Sequence, residues 1–129
     1  MLRREHFEAW ILAYERAWRT AGTGALDALF TDGAWYSPAP FEEALIGRAA
    51  IADFWDAERV SPDEQFSFRA DLITVDGDTA VARVNVEYSD ERASSYKNLW
   101  IIVLDEDSRC RHFEEWPFFP GQLRAVPRD

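Results

Sequence analysis

The hydrophobic period of this chain changes partway along it, and the change dictates which elements come first. In the first 59 residues apolar side chains recur three and four positions apart, and from residue 66 onward they alternate. Phe7, Trp10, Ile11, Tyr14 and Trp18 form one stripe with Glu8, Glu15, Arg16 and Arg19 between them. That spacing predicts an amphipathic helix over roughly 3–20, closed by Gly22. "ALDALF" (25–30) predicts a short second helix ended by the turn signal "TDG", and "AWYSPAP" (34–40) a short strand stopped by Pro38 and Pro40. "GRAAIADFWDAER" (47–59) predicts a third helix with Ile51, Phe54, Trp55 and Glu58 along one side.

Four alternating runs follow: "FSFRADLITV" (66–75), "TAVARVNVEY" (79–88), "SYKNLWIIVL" (95–104) and "RCRHFEEW" (109–116). "DGD" (76–78) and "DEDS" (105–108) read as hairpin turns between antiparallel neighbours. Helices first and a meander after give the α+β class. A sheet this long curls, and the helices can cover only one of its faces. The expected product is one domain over 1–129, with three N-terminal helices packed on a curved antiparallel meander sheet. That arrangement forms a cone with an internal pocket, the natural place for a ligand.

Composition narrows the partners. The net charge of −10, from 24 acidic and 14 basic residues, repels a phosphate backbone or an anionic bilayer. Arg3, Arg4, Arg16 and Arg19 offer no local exception, because Glu5, Glu8 and Glu15 stand among them. Neither nucleic acid nor a membrane is expected as a partner. Cys110 is the one cysteine, which allows no internal disulfide and fits a reducing compartment. No apolar run reaches the roughly 18 residues that span a bilayer, and "MLRREHFEAW" carries charges where a signal segment would be apolar, so a cytoplasmic location is expected. No glycine-rich phosphate loop follows a strand. Cys110, His112 and Glu114 share strand spacing without a zinc motif, so neither cofactor nor metal is expected.

Alternation also sorts side chains by face. Arg111, Phe113 and Glu115 oppose Cys110, His112, Glu114 and Trp116. Arg83, Asn85 and Glu87 oppose Ala82, Val84, Val86 and Tyr88, while Leu99, Ile101 and Val103 oppose Asn98, Trp100, Ile102 and Leu104. Which set looks into the pocket is left open by alternation alone.

Two stretches carry a resemblance. "YKNLWIIVLDEDSRCRHFEEW" (96–116) resembles the ending of SnoaL-like proteins, and "GRAAIADFW" (47–55) resembles their helix after the first strand. The order of elements matches over nearly the whole chain. The resemblance implies the nuclear transport factor 2-like, or cystatin-like, cone, a fold that serves polyketide cyclases, ketosteroid isomerases, epoxide hydrolases and domains without activity. Locally the chain is similar to limonene epoxide hydrolase. "ARVNV" would put Arg83 and Asn85 at its catalytic Arg and first Asp, and "FEEWPF" would put Glu115 at its second Asp. "KNLWI" would put Leu99 and Ile101 on its apolar lining, and its water-holding Tyr and Asn would fall on Trp35 and Ser37. Asn85, Trp35 and Ser37 depart from that enzyme's residues, which leaves Glu115 as the one candidate base.

The resemblance thus selects the face containing Glu115. Glu115, Arg83 and Asn85 are the expected catalytic set, with Tyr14, Trp18, Trp35, Ser37, Phe54, Trp55, Glu87, Leu99, Ile101 and Phe113 as ligand contacts. A carboxylate among aromatics loses hydration and its pKa rises, which suits general acid/base work, while a nearby Arg acts the other way. The bland alternative is a structural ion pair between Glu115 and Arg83, bracing neighbouring strands. The implied function is cofactor-independent isomerisation, cyclisation, dehydration or hydrolysis of a small apolar oxygenated molecule. A non-catalytic ligand-binding or dimerisation domain is the alternative. Trp100, His112, Glu114 and Trp116 would lie on the outer sheet face, where a bare aromatic patch is costly in water. Pairing into a homodimer would cover it, unless the C-terminal "PFFPGQLRAVP" folds back over it.

Overall fold

The computed structural model describes residues 1–59, 65–89 and 95–122. Three helices, α1 (Arg4–Trp18), α2 (Leu26–Leu29) and α3 (Arg48–Glu58), accompany six strands. These are β1 (Phe30–Ser37), β2 (Leu45–Ile46), β3 (Phe66–Asp76), β4 (Thr79–Tyr88), β5 (Ser95–Leu104) and β6 (Cys110–Phe118). All the strands lie in one sheet, in the order β2-β1-β6-β5-β4-β3, so the class is α+β.

The sheet is mixed rather than an antiparallel meander. β3 to β6 follow one another as antiparallel neighbours. β1 instead runs parallel to β6, with Tyr36 opposite Phe113 and Ser37 opposite Glu114. Tight turns force antiparallel pairing only on strands next to each other in the chain, and β1 reaches β6 after a long connection that leaves either direction open. A second difference concerns "TDG", which lies inside β1 and makes no turn there. The pairing of β1 with β6 is irregular between Phe30 and Trp35, and that irregularity absorbs the segment. β2, which pairs Ile46 with Trp35, extends the sheet beyond the expected strands.

The turns follow their local chemistry. Gly77 takes a φ of 62° between β3 and β4, where a side chain would be strained. Between β5 and β6, Asp105 Oδ1 accepts from the backbone N–H groups of Asp107 and Arg109, both at 2.9 Å. Just beyond, Val103 faces His112 while Leu104 faces Cys110, so Arg111 is an extra residue on β6. Cys110 therefore points inward, as Phe113 does, and both are fully buried. Arg111 turns outward and meets Asp78 at 2.8 Å, so it leaves the face it was expected to share with Phe113 and Glu115.

One face of the sheet is covered by α1, which buries Phe7, Trp10, Ile11 and Tyr14. The Trp10 indole donates to the Leu29 carbonyl at 2.9 Å, and its ring packs on Phe30, Trp100 and Phe113. α3 contributes Ile51 and Trp55, both fully buried. Burial pushes the Cys110 thiol up to about 12, which leaves it a packing group rather than a nucleophile. Among the described residues no helix is long and apolar enough to cross a membrane.

Candidate functional site

Pairing register decides what the covered face of the sheet presents. Residues directly opposite on antiparallel strands share a face. Glu115 stands opposite Trp100, Trp100 opposite Ala82, Val84 opposite Asn98, and Val86 opposite both Tyr96 and Phe68. The inner face therefore carries even-numbered residues on β4, on β5 and on β3 as far as Leu72, and odd-numbered ones on β6 above its bulge. Between this face and the helices lies a cavity of about 950 Å³. Tyr14 and Trp18 of α1 and Phe54 and Glu58 of α3 bound it on the helix side, and Tyr36 of β1 belongs to the sheet side. Phe66, Phe68, Val86, Tyr88, Tyr96, Asn98, Trp100 and Glu115 bound it on the sheet side, and Pro38–Glu42 and Trp116–Phe119 add to its lining.

Glu115 is held at two points. The Tyr36 hydroxyl donates to its Oε2 at 2.6 Å and the Asn98 amide to its Oε1 at 2.9 Å. The Tyr14 hydroxyl lies 3.4 Å from that of Tyr36. Because the Tyr36 hydrogen goes to the carboxylate, Tyr14 is the donor in the second contact. A short line of polar groups thus crosses an aromatic wall.

Removal from water pushes the Glu115 carboxyl up to about 7, and the charge of Glu58 adds to the effect. The bonds from Tyr36 and Asn98 and a weaker pull from Trp100 act the other way without overcoming it. The Trp100 indole N–H is itself buried and makes no regular hydrogen bond. Burial, reinforced by the Glu115 charge, raises both phenols well above 10. The phenols therefore stay protonated donors, while the carboxyl divides between acid and base near neutral pH. Tyr36→Phe should raise the Glu115 pKa further, by about one to two units, since a hydrogen bond to a charged group is worth roughly 1.5–3 kcal/mol. Carboxyl carbon shifts followed by NMR across pH would measure it, and an unchanged midpoint would refute it.

The structure gathers some of the expected residues and disperses others. Tyr14, Trp18, Phe54 and Glu115 line the cavity. Phe113 and Trp55 lie in the core behind it, both fully buried. Arg83 and Asn85 do not join Glu115: Arg83 is paired across the ladder with Leu99 and Asn85 with Lys97, on the opposite face of the sheet. Neither the expected catalytic set nor the alternative ion pair forms. Glu87, Leu99 and Ile101 occupy that same outer face, for the same reason of register. Trp35 also faces outward, stacked on His112 at 4.4 Å with the rings 9° from parallel. Ser37 shares its face and donates to the Ala39 carbonyl at 3.1 Å.

The outer patch differs too. Trp100 is 2% exposed and belongs to the inner face. His112 Nε2 and the Trp116 indole both bond Glu114, at 2.7 and 3.0 Å. Burial raises the Glu114 pKa, but these two bonds outweigh it and leave the carboxyl lower than usual. Among the described residues no group of three His, Cys, Asp or Glu side chains could hold a metal ion. Of the C-terminal stretch, residues 123–127 lie outside the described residues. Pro117, Phe118 and Phe119 line the cavity.

Sequence reasoning missed Tyr36, Asn98, Trp100 and Glu58 as site residues. Three of them follow from register: Trp100 and Asn98 from the β5–β6 hairpin, Tyr36 from the parallel pairing of β1.

Comparison with known proteins agrees with this architecture. The family described as a SnoaL-like domain matches residues 11–112. No curated protein matches by sequence. Among solved structures, the epoxide hydrolase/cyclase-like enzyme SalBIII, of pyran ring formation in polyether salinomycin, is 13% identical with a TM-score of 0.72. That match covers 92% of this chain and 95% of that one. A protein of unknown function with cystatin-like fold from Methylobium petroleophilum PM1 is 17% identical with a TM-score of 0.71, covering 98% of this chain and 84% of that one. An LEH-like epoxide hydrolase of M. tuberculosis is 12% identical with a TM-score of 0.63, covering 85% and 80%. At such identities the likeness is one of fold.

Proposed function

The chain belongs to the SnoaL-like domain family, and from that premise we propose that its helices and sheet form a cone whose cavity binds a small apolar oxygenated molecule. There Glu115 performs cofactor-independent general acid/base chemistry: isomerisation, cyclisation, dehydration or hydrolysis. The observation that carries this reading is the Glu115 carboxyl, set in an aromatic wall, gripped by Tyr36 and Asn98 and brought to about 7. A group with that affinity both takes and returns a proton at neutral pH. The Tyr14–Tyr36 pair would steady the carboxylate between the two transfers and carry no proton itself.

The test is turnover. Apolar oxygenated compounds are incubated with the protein and their products read by mass spectrometry. Glu115→Gln keeps the shape and removes the proton carrier, so the rate should fall about 10²–10⁴-fold. Turnover unaffected by the substitution would reject the mechanism.

A non-catalytic binding domain is the second reading. The position of Arg83 and Asn85 favours it, because both lie on the opposite face of the sheet and leave Glu115 without the catalytic partners expected of it. It predicts stoichiometric binding without conversion. A pure protein-interaction module is disfavoured by the cavity, whose 950 Å³ is of ligand-site size. Pairing of two copies through the outer sheet face is also part of the proposal. The apolar side chains exposed there include Leu99 and Trp116, each 39% exposed, while Trp100 belongs to the interior.

A further inference from the structure

The charge of the cavity wall has one sign. Glu42, Glu58 and Glu115 line it, and no Lys, Arg or His does among the described lining residues. The rest of the wall is largely aromatic, including Trp18, Tyr88, Tyr96 and Trp100. Aromatic faces carry negative potential and attract cations. Two of these rings already hold one: the Arg59 guanidinium lies 5.2 Å from the Trp18 ring and that of Arg19 lies 4.1 Å from Phe66. Neither arginine lines the cavity. Arg19 is tied to Glu15 and Arg59 to the carbonyls of Gly22 and Ala17.

Asn98 fixes one of these carboxyls in place on the wall. It is 2% exposed and sits on the cavity wall, with its amide nitrogen committed to Glu115 and its Oδ1 without a partner. We propose that the ligand of this cavity is an organic cation, a protonated amine carried on an apolar body.

This assignment rests on reading the cavity as a ligand site and adds the charge of what enters it. An anion would lose its hydration at a wall that holds carboxyls and carries no counter-charge among the described residues. A neutral molecule would leave the carboxyls of the wall without a partner of opposite charge. An ammonium pairs with those carboxyls and lies against aromatic faces. The net charge of −10 also draws cations toward the molecule as a whole.

The experiment compares 4-phenylbutylamine, 4-phenylbutanol and 4-phenylbutyrate, which share one apolar body and differ in the charge of the head. Binding to the intact chain at neutral pH is followed by tryptophan fluorescence and calorimetry. The amine should bind about tenfold tighter than the alcohol, and the acid weakest of the three. Glu58→Gln should weaken the amine several-fold and leave the alcohol unchanged. Equal affinities, or an order led by the alcohol or the acid, would overturn the cation assignment and leave the ligand-site reading standing. No binding by any of the three would overturn both.

Discussion

Glu115→Gln should leave the protein more stable than the wild type above pH 7 and no different from it below about pH 4.5. The carboxyl has an ordinary pKa of 4.5 and is pushed up to about 7 in the fold. Between those values the folded chain binds more protons than the unfolded one, so the free energy of unfolding falls as pH rises. Stability linked to this group is fully present below 4.5, decays through that window and is gone above 7. At 1.36 kcal/mol per pKa unit the loss is about 3 kcal/mol. Glutamine lacks the titration, and the Tyr36 hydroxyl can rotate to accept from its amide. Urea denaturation of both chains from pH 4 to 9 would trace the difference between them. Parallel curves across the window would show that Glu115 is not held in its neutral form by the fold.

A loss of comparable size or larger is expected at Phe113. Its ring is fully buried and meets five others: Trp10 at 5.4 Å, Tyr14 at 5.6 Å, Phe30 at 6.1 Å, Tyr36 at 5.0 Å and Trp100 at 5.1 Å. Phe113→Ala removes those contacts and leaves a void the surrounding rings cannot close, at a cost of about 3–5 kcal/mol. Against a typical total of roughly 5–15 kcal/mol, that approaches unfolding. Phe113→Leu keeps most of the volume and should cost less than about 2 kcal/mol. Thermal denaturation of the two variants would separate them. A mild alanine variant would mean the aromatic cluster repacks freely, contrary to the interlocked geometry seen here.

Much of the fold was legible because its signals are local. Helical spacing marks α1 and α3, strict alternation marks β4, and the turn residues mark both hairpins. The direction of β1 was not legible, because a parallel partner far along the chain leaves no trace in neighbouring residues. Tyr36 was lost with it.

The site shows a different kind of failure. On β4 the even-numbered residues Ala82, Val84, Val86 and Tyr88 are all apolar and the odd ones, Arg83, Asn85 and Glu87, are all polar. Burial follows that pattern, and the even set is buried. The local likeness to an epoxide hydrolase argued for the odd set, and hydrophobicity prevailed. On β5 both sets are largely apolar, so composition could not decide. Counting outward from the "DEDS" turn could have done so, since a symmetric hairpin about 105–108 sets Glu115 against even-numbered residues of β5. The inward direction of Glu115 came from the resemblance, but its partners had to come from register.

The extra residue at Arg111 has a consequence for how this strand can change. A strictly alternating β6 could bury Cys110 or set Glu115 in the cavity, but not both. The bulge uncouples the two ends of the strand, so the packing requirement at the hairpin no longer dictates which side chain stands at the cavity wall. The far end is therefore free to exchange its reactive group residue by residue while the turn and the core beneath it stay as they are.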